Sequence, residues 1–268
     1  MNKSTIAWIT AGIALTAALI FSARWYMTGT PAPTPPPVTQ APEPAQPAPS
    51  SQPRIQHPIE QVQTEPAPPP QASLDASAAA MREALASLFK GNKLPEFVQP
   101  ISLIRNIVAT IDNLPRSKAA PRLWPVQPMS GAMSTINAGD HLVIAADNSA
   151  RYAPVIALVE AVDTKSLVAI YVSFYPLFQQ AYRELGYPDG YFNDRLVAVI
   201  DHLLATPQVN LPIALVQPKV LYEYADPELE ALSAGQKAML RVGPDNASIL
   251  KAKLREIRFR VAGPIVPR

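Results

Sequence analysis

Cysteine is absent from this chain of 268 residues. Its absence excludes disulfides, zinc–thiolate centres, iron–sulfur clusters and cysteine nucleophiles. An oxidising compartment is compatible with that lack but is not demanded by it. Histidine is scarce: the three are His57, His141 and His202, and no His-x-x-x-His spacing offers a metal site. There is no G-x-S-x-G elbow, P-loop or dinucleotide fingerprint. No cofactor is expected from this inventory. Charge is also low, with 16% charged residues and a net charge of +2, too little to name a partner.

Proline is abundant. The chain has 31, and 15 of them fall between Pro31 and Pro70. Proline fixes φ and removes a backbone donor, so that stretch is read as a disordered, semi-rigid tether over residues 27–71. Fully extended, its forty proline-rich residues would reach at most ~120 Å. Ile55, Ile59 and Val62 form a small apolar island in it, a possible point of transient docking.

Ahead of the tether, residues Ser4 to Ala23 carry no charge and lie between Lys3 and Arg24. Twenty helical residues span about 30 Å, the thickness of a bilayer's hydrocarbon core. Trp8, Trp25 and Tyr26 mark the two interfaces. Residues 1–26 are therefore expected to form one transmembrane anchor. A cleaved signal fits less well, because cutting after Ala23 would put Phe21 at the −3 position. Either way the domain is exported, and the uncleaved anchor gives a single pass with the C-terminal domain beyond the membrane. Ala7, Ala11, Ala14 and Ala18 share one helix face, which allows self-association through the anchor.

Residues 72–268 read as one mainly α domain of about seven helices with a minor β-hairpin. Phe97, Ile101, Ile104, Val108 and Ile111 are spaced four, three, four and three, an amphipathic helix starting near Pro95 or Pro100. Ala132–Ile136 and His141–Ala145 flank Asn137–Asp140 as a hairpin. A helix from Asp163 to Leu185 contains Pro176, which should kink or split it. Ser233 and Gln236 have capping-box spacing, and Pro244 suits the first position of a last helix. Ile213–Val216 and Val220–Tyr224 are β-like; they either pair with the hairpin or stay extended.

Four segments carry a family likeness. DNLPR (Asp112–Arg116), RYAP (Arg151–Pro154), YPLFQQAYRELGYPDGYFNDRLVAVIDHLLATP (Tyr175–Pro207) and LVQPKVLYEYADPELEALSAGQKAMLRVGPDNA (Leu215–Ala247) resemble the bacterial domain of unknown function 3014 family. The resemblance implies a bacterial envelope protein with a membrane segment, a proline-rich spacer and this domain, so the expected location is a single pass in the bacterial inner membrane with the C-terminal domain in the periplasm. It carries no catalytic residue over to this chain.

The candidate site residues follow from exposure and charge. Tyr187 and Tyr191 flank the Tyr187–Gly190 turn and could present rings to a partner, although core or rim packing is the default for such rings. Lys251, Lys253, Arg255 and Arg258 line the last helix and could hold an anionic surface. Between Lys237 and Arg260 stand seven basic and two acidic residues. Leu240–Ala247 loosely resembles a helix–hairpin–helix, but export separates the domain from cytoplasmic nucleic acid, which is therefore not the expected partner. The leading expectation is a non-enzymatic binding or adaptor module for an envelope protein or cell-wall component. The alternative is an enzyme acting on envelope polymer through Asp189, Asp194 and Asp201, although each of these acids also suits a turn or a helix start. His202 is expected as a solvated surface residue.

Overall fold

The hydrophobic spacing of the last third of the chain dictates a helical scaffold, and a computed structural model shows how it is built. The structure describes residues 55–62, 73–89, 98, 102–128 and 131–262. The expected anchor and most of the tether lie outside the described residues. Among the described residues, no helix is long and apolar enough to cross a membrane.

Nine α-helices and four strands occur among the described residues. They are α1 (Ser77–Ala86), α2 (Leu103–Asn113), β1 (Thr135–Ala138), β2 (His141–Ile144), α3 (Ala153–Ala161), α4 (Thr164–Ser173), α5 (Tyr175–Glu184), α6 (Phe192–Leu204), β3 (Ala214–Val216), β4 (Glu223–Tyr224), α7 (Pro227–Glu230), α8 (Ala234–Arg241) and α9 (Pro244–Ala262). Three 3₁₀ turns accompany them, at Ile59–Gln61, Pro121–Leu123 and Ala146–Tyr152. The domain is thus mainly helical with a small antiparallel sheet. The expected count of about seven helices is too low for two local reasons. Pro176 splits one helix into α4 and α5, with Phe174 (φ −93, ψ 2) at the break. Asp226 caps the short α7 by accepting from Glu228 N–H at 2.8 Å.

The minor hairpin is also larger than expected. Its two strands continue into a four-stranded antiparallel sheet of order β1-β2-β3-β4. The hairpin loop is shorter than Asn137–Asp140, because Ala138 pairs with His141. Only Gly139 and Asp140 remain in the loop, and Gly139 takes φ +67, which suits the first central position of a two-residue loop. Helix α2 begins at Leu103, later than its apolar spacing suggests, because Ser102 is left-handed (φ 51) and cannot continue a right-handed helix.

Helix α9 is the hub: it packs against α6, α3 and α4, while α2 packs against α5 and α6. The main core joins Met81, Ile104, Val108, Tyr175, Phe178, Tyr182 and Phe192. A second cluster under the sheet holds Ile213, Leu215, Tyr224 and Leu240, and a third holds Val168, Val197 and Val261. The capping box at α8 is present: Ser233 Oγ accepts from Gln236 N–H at 3.2 Å, and Gln236 Oε1 accepts from Ser233 N–H at 3.4 Å. Gly235 lets α8 approach the end of α2, where its N–H donates to Leu114 O at 2.9 Å. A Cβ there would stand 2.6 Å from Leu203 Cδ2 and 3.0 Å from Leu114 O.

Burial of tyrosine in these cores has a measurable consequence. Loss of hydration raises Tyr171 well above its ordinary value, also raises Tyr175 and Tyr182, and takes Tyr224 to about 12. A raised folded pKa stabilises the fold below the unfolded value of 10.0, and this stabilisation is lost as pH climbs through the folded value. Absorbance titration of the nine tyrosines should therefore show at least four lagging behind the rest and ionising only as the domain opens in strong alkali. A single ordinary titration of all nine would contradict this packing.

Candidate functional site

The Tyr187–Asp194 block sits where α5, α6 and α2 meet, and two polar arrangements are built on it. The first surrounds Asp112, which is 2% exposed in the last turn of α2. A carboxylate is disfavoured at that end of a helix dipole and disfavoured again by burial. Two guanidinium groups offset both effects. Arg195 Nε donates to Asp112 Oδ1 at 3.0 Å, and Arg116 Nη2 donates to Asp112 Oδ2 at 2.6 Å. Arg195 Nη2 also caps the backbone carbonyl of Asp112 at 2.8 Å. Tyr187 Oη donates to Asp112 Oδ2 at 3.2 Å, and its ring stacks on Tyr182 with centroids 4.6 Å apart. Gly190 is required beneath this stack, since a Cβ would meet Tyr182 Cε1 at 2.7 Å. Tyr187, one of the two rings considered for a partner surface, is a half-buried part of this cluster.

The second arrangement holds part of the tether. Asp194 accepts backbone N–H groups from Gln56 at 3.0 Å and His57 at 2.7 Å. Tyr191 Oη accepts from Ile59 N–H at 2.8 Å. Asn193, with 0% exposure, donates from Nδ2 to His57 O at 2.8 Å and to Val261 O at 3.1 Å. Ile59 packs on the main core and Val62 on the Val168–Val197–Val261 cluster, while Ile55 remains 48% exposed. Two members of the expected apolar island therefore dock, and within the tether range residues 55–62 lie on the domain. Sequence reading placed Asp194 as a helix-start acid and missed its partner. The apolar island was the one available signal.

The basic face of α9 is largely engaged within the domain. Lys251 Nζ donates to Thr206 O at 2.6 Å, and Lys253 Nζ donates to Val162 O at 2.8 Å and to Thr164 Oγ1 at 3.3 Å. Arg258 is 7% exposed and pairs with Asp201 at 2.5 Å. Arg255 is exposed. Lys251 and Arg255 line a cleft of about 340 Å³ between the end of α6, Leu240 and the start of α9. Burial first, and then Arg255, hold the Lys251 ammonium below the usual lysine value. Two apolar hollows of about 300 and 210 Å³ lie on the opposite side of α9 and share Leu85, Leu167 and Ile257.

The three acidic candidates do not converge. Asp189 is exposed in the turn, Asp194 holds the tether, and Asp201 pairs with Arg258. Asp194 and Asp201 are seven residues apart on α6, roughly 10 Å along the helix axis. His202 corrects the expectation of a solvated histidine. It is half-buried, with Nε2 2.8 Å from Ser233 Oγ, the hydroxyl that caps α8. His141 is exposed on β2. No group of three His, Cys, Asp or Glu able to hold a metal ion occurs among the described residues.

The family model described as Protein of unknown function (DUF3014) matches residues 103–258. The chain belongs to this family. The DUF3014 match runs from the first residue of α2 into α9, so Asp112, Tyr191, Asn193 and Asp194 lie inside it and residues 55–62 precede it. No curated protein and no solved structure matches the chain.

Proposed function

We propose that this chain is a non-enzymatic binding or adaptor module of the bacterial envelope, anchored in the inner membrane by residues 4–23 and carrying its DUF3014 domain in the periplasm. Its partner is an envelope protein or a cell-wall component. One observation carries the reading: Tyr191, Asn193 and Asp194 grip the main chain of a separate segment, residues 56–59, which is what a recognition surface does. Asp194 and Asp201 of the enzyme alternative are engaged separately and Asp189 is exposed in its turn, so no observation favours a pair suited to polymer cleavage.

The test is photo-crosslinking in living cells from position 187 and from position 255, with adducts identified by mass. An adduct with another envelope component is expected from at least one of them. Recovery of nothing but the chain's own peptides from both positions would overturn the adaptor reading. A reporter fused after Arg268 should be active in the periplasm, and a cytoplasmic readout would overturn the topology.

A further inference from the structure

Residues 55–62 belong by position to the linker, yet they meet the domain as a ligand does. In the run 56–59, Gln56, His57 and Ile59 each donate a backbone N–H to Asp194 or Tyr191. The residue skipped is Pro58, which has no N–H to give. Pro58 is extended (φ −60, ψ 132), so the backbone is held near its bound shape before docking. The carbonyl of His57 is read from the other side by Asn193. Main-chain bonds of this kind provide affinity without regard to side chains, and selectivity comes from pockets beside them. Here Ile59 and Val62, three positions apart, pack on two different core clusters beside the first turn of α6.

We infer that this groove at the head of α6 is a peptide-binding site for a proline-containing segment that leads into a 3₁₀ turn and carries two aliphatic residues three apart. The chain's own tether is its resident occupant, and an incoming segment must displace it. The inference rests on the binding-module reading and names its site. The resident is joined to the domain through residues 63–72, and a short connector gives an effective concentration on the order of millimolar. A free peptide making the same contacts therefore binds weakly until the tether is vacated.

The experiment uses the full-length chain in detergent micelles and a fluorescent synthetic peptide with the sequence of residues 52–64, followed by anisotropy. In the Ile59→Asp/Val62→Asp chain the tether cannot fill its pockets. That chain is expected to bind the probe with an apparent Kd about tenfold or more below that of the unchanged chain. Adding Asp194→Ala should weaken binding again by about tenfold, and a probe carrying the same two aspartates should not bind. In the unchanged chain, the amides of His57 and Ile59 should exchange slowly with solvent deuterium. The inference fails if the vacated chain binds the probe no better than the unchanged one, or if the aspartate-bearing probe binds equally well. A dimer of the unchanged chain that dissociates when the tether is vacated would assign the groove to a second copy and overturn the claim of an external segment. Probe binding without any captured envelope partner would retain this site and reject the adaptor reading. A captured partner without probe binding would do the reverse.

Discussion

Replacing Asp112 by asparagine is expected to cost about 3–5 kcal/mol of domain stability. The substitution keeps the shape of the side chain and removes only its charge. Arg195 and Arg116 then face an amide, and the half-buried guanidinium of Arg195 loses the carboxylate it was desolvated against. Breaking a buried pair on one side is costly because the surviving charge stays behind. For a domain of this size the loss corresponds to a fall in Tm of roughly 10 °C. Natural domains are stable by only about 5–15 kcal/mol, so a marginal domain would unfold outright.

The partners should rank by exposure. The Arg116 side chain is 54% exposed and that of Arg195 is 29% exposed. Arg116→Ala should therefore cost no more than about 1 kcal/mol. Arg195→Ala should cost more, since it also uncaps the Asp112 carbonyl. Urea unfolding followed by circular dichroism measures all three. An Asp112→Asn variant within about 1 kcal/mol of the unchanged protein would show that this node adds little.

What was legible in the sequence was local. The Ser233–Gln236 capping box, the break at Pro176 and the start of α9 at Pro244 each depend on residues within four positions of one another, and each is present. What was not legible joins distant segments. Arg195 meets Asp112 across 83 positions, and Asp194 meets His57 across 137. Nothing in the spacing of α6 shows that its first-turn acid serves a linker more than a hundred residues earlier. The same blindness affected the cations of α9. Lys251 and Lys253 look solvated by helical periodicity, yet they bond the carbonyls of Thr206 and Val162, set beside them only by the fold. The sheet was half legible: β-branched runs marked the strands, but the pairing of Val143 with Ala214 needed β3 to return from a distant position.

Exchanging Asn193 for aspartate should be the other severe lesion, and it should carry a pH signature of its own. The Asn193 side chain ties three elements together at 0% exposure. It accepts from Tyr171 Oη at 3.1 Å, and its amide nitrogen donates to Val261 O of α9 and to His57 O of the tether. A carboxylate of the same shape cannot donate, so two carbonyl oxygens lose their partner and face an anion instead. Each unsatisfied buried group costs about 1–3 kcal/mol, and the buried charge adds to that. A loss of about 3 kcal/mol or more near neutral pH is expected. Burial and the facing carbonyls must raise the folded pKa of the introduced acid above its unfolded value of about 3.9. With the folded value raised, protonation favours the fold, so the deficit should shrink as pH falls through that folded value. The protonated acid regains one donor and no charge. Urea titrations near neutral pH and at about pH 4 should show the gap to the unchanged protein narrowing in acid. A deficit that stays constant across that range would mean the introduced acid reaches solvent, and would remove Asn193 from the buried junction of α4, α9 and the tether.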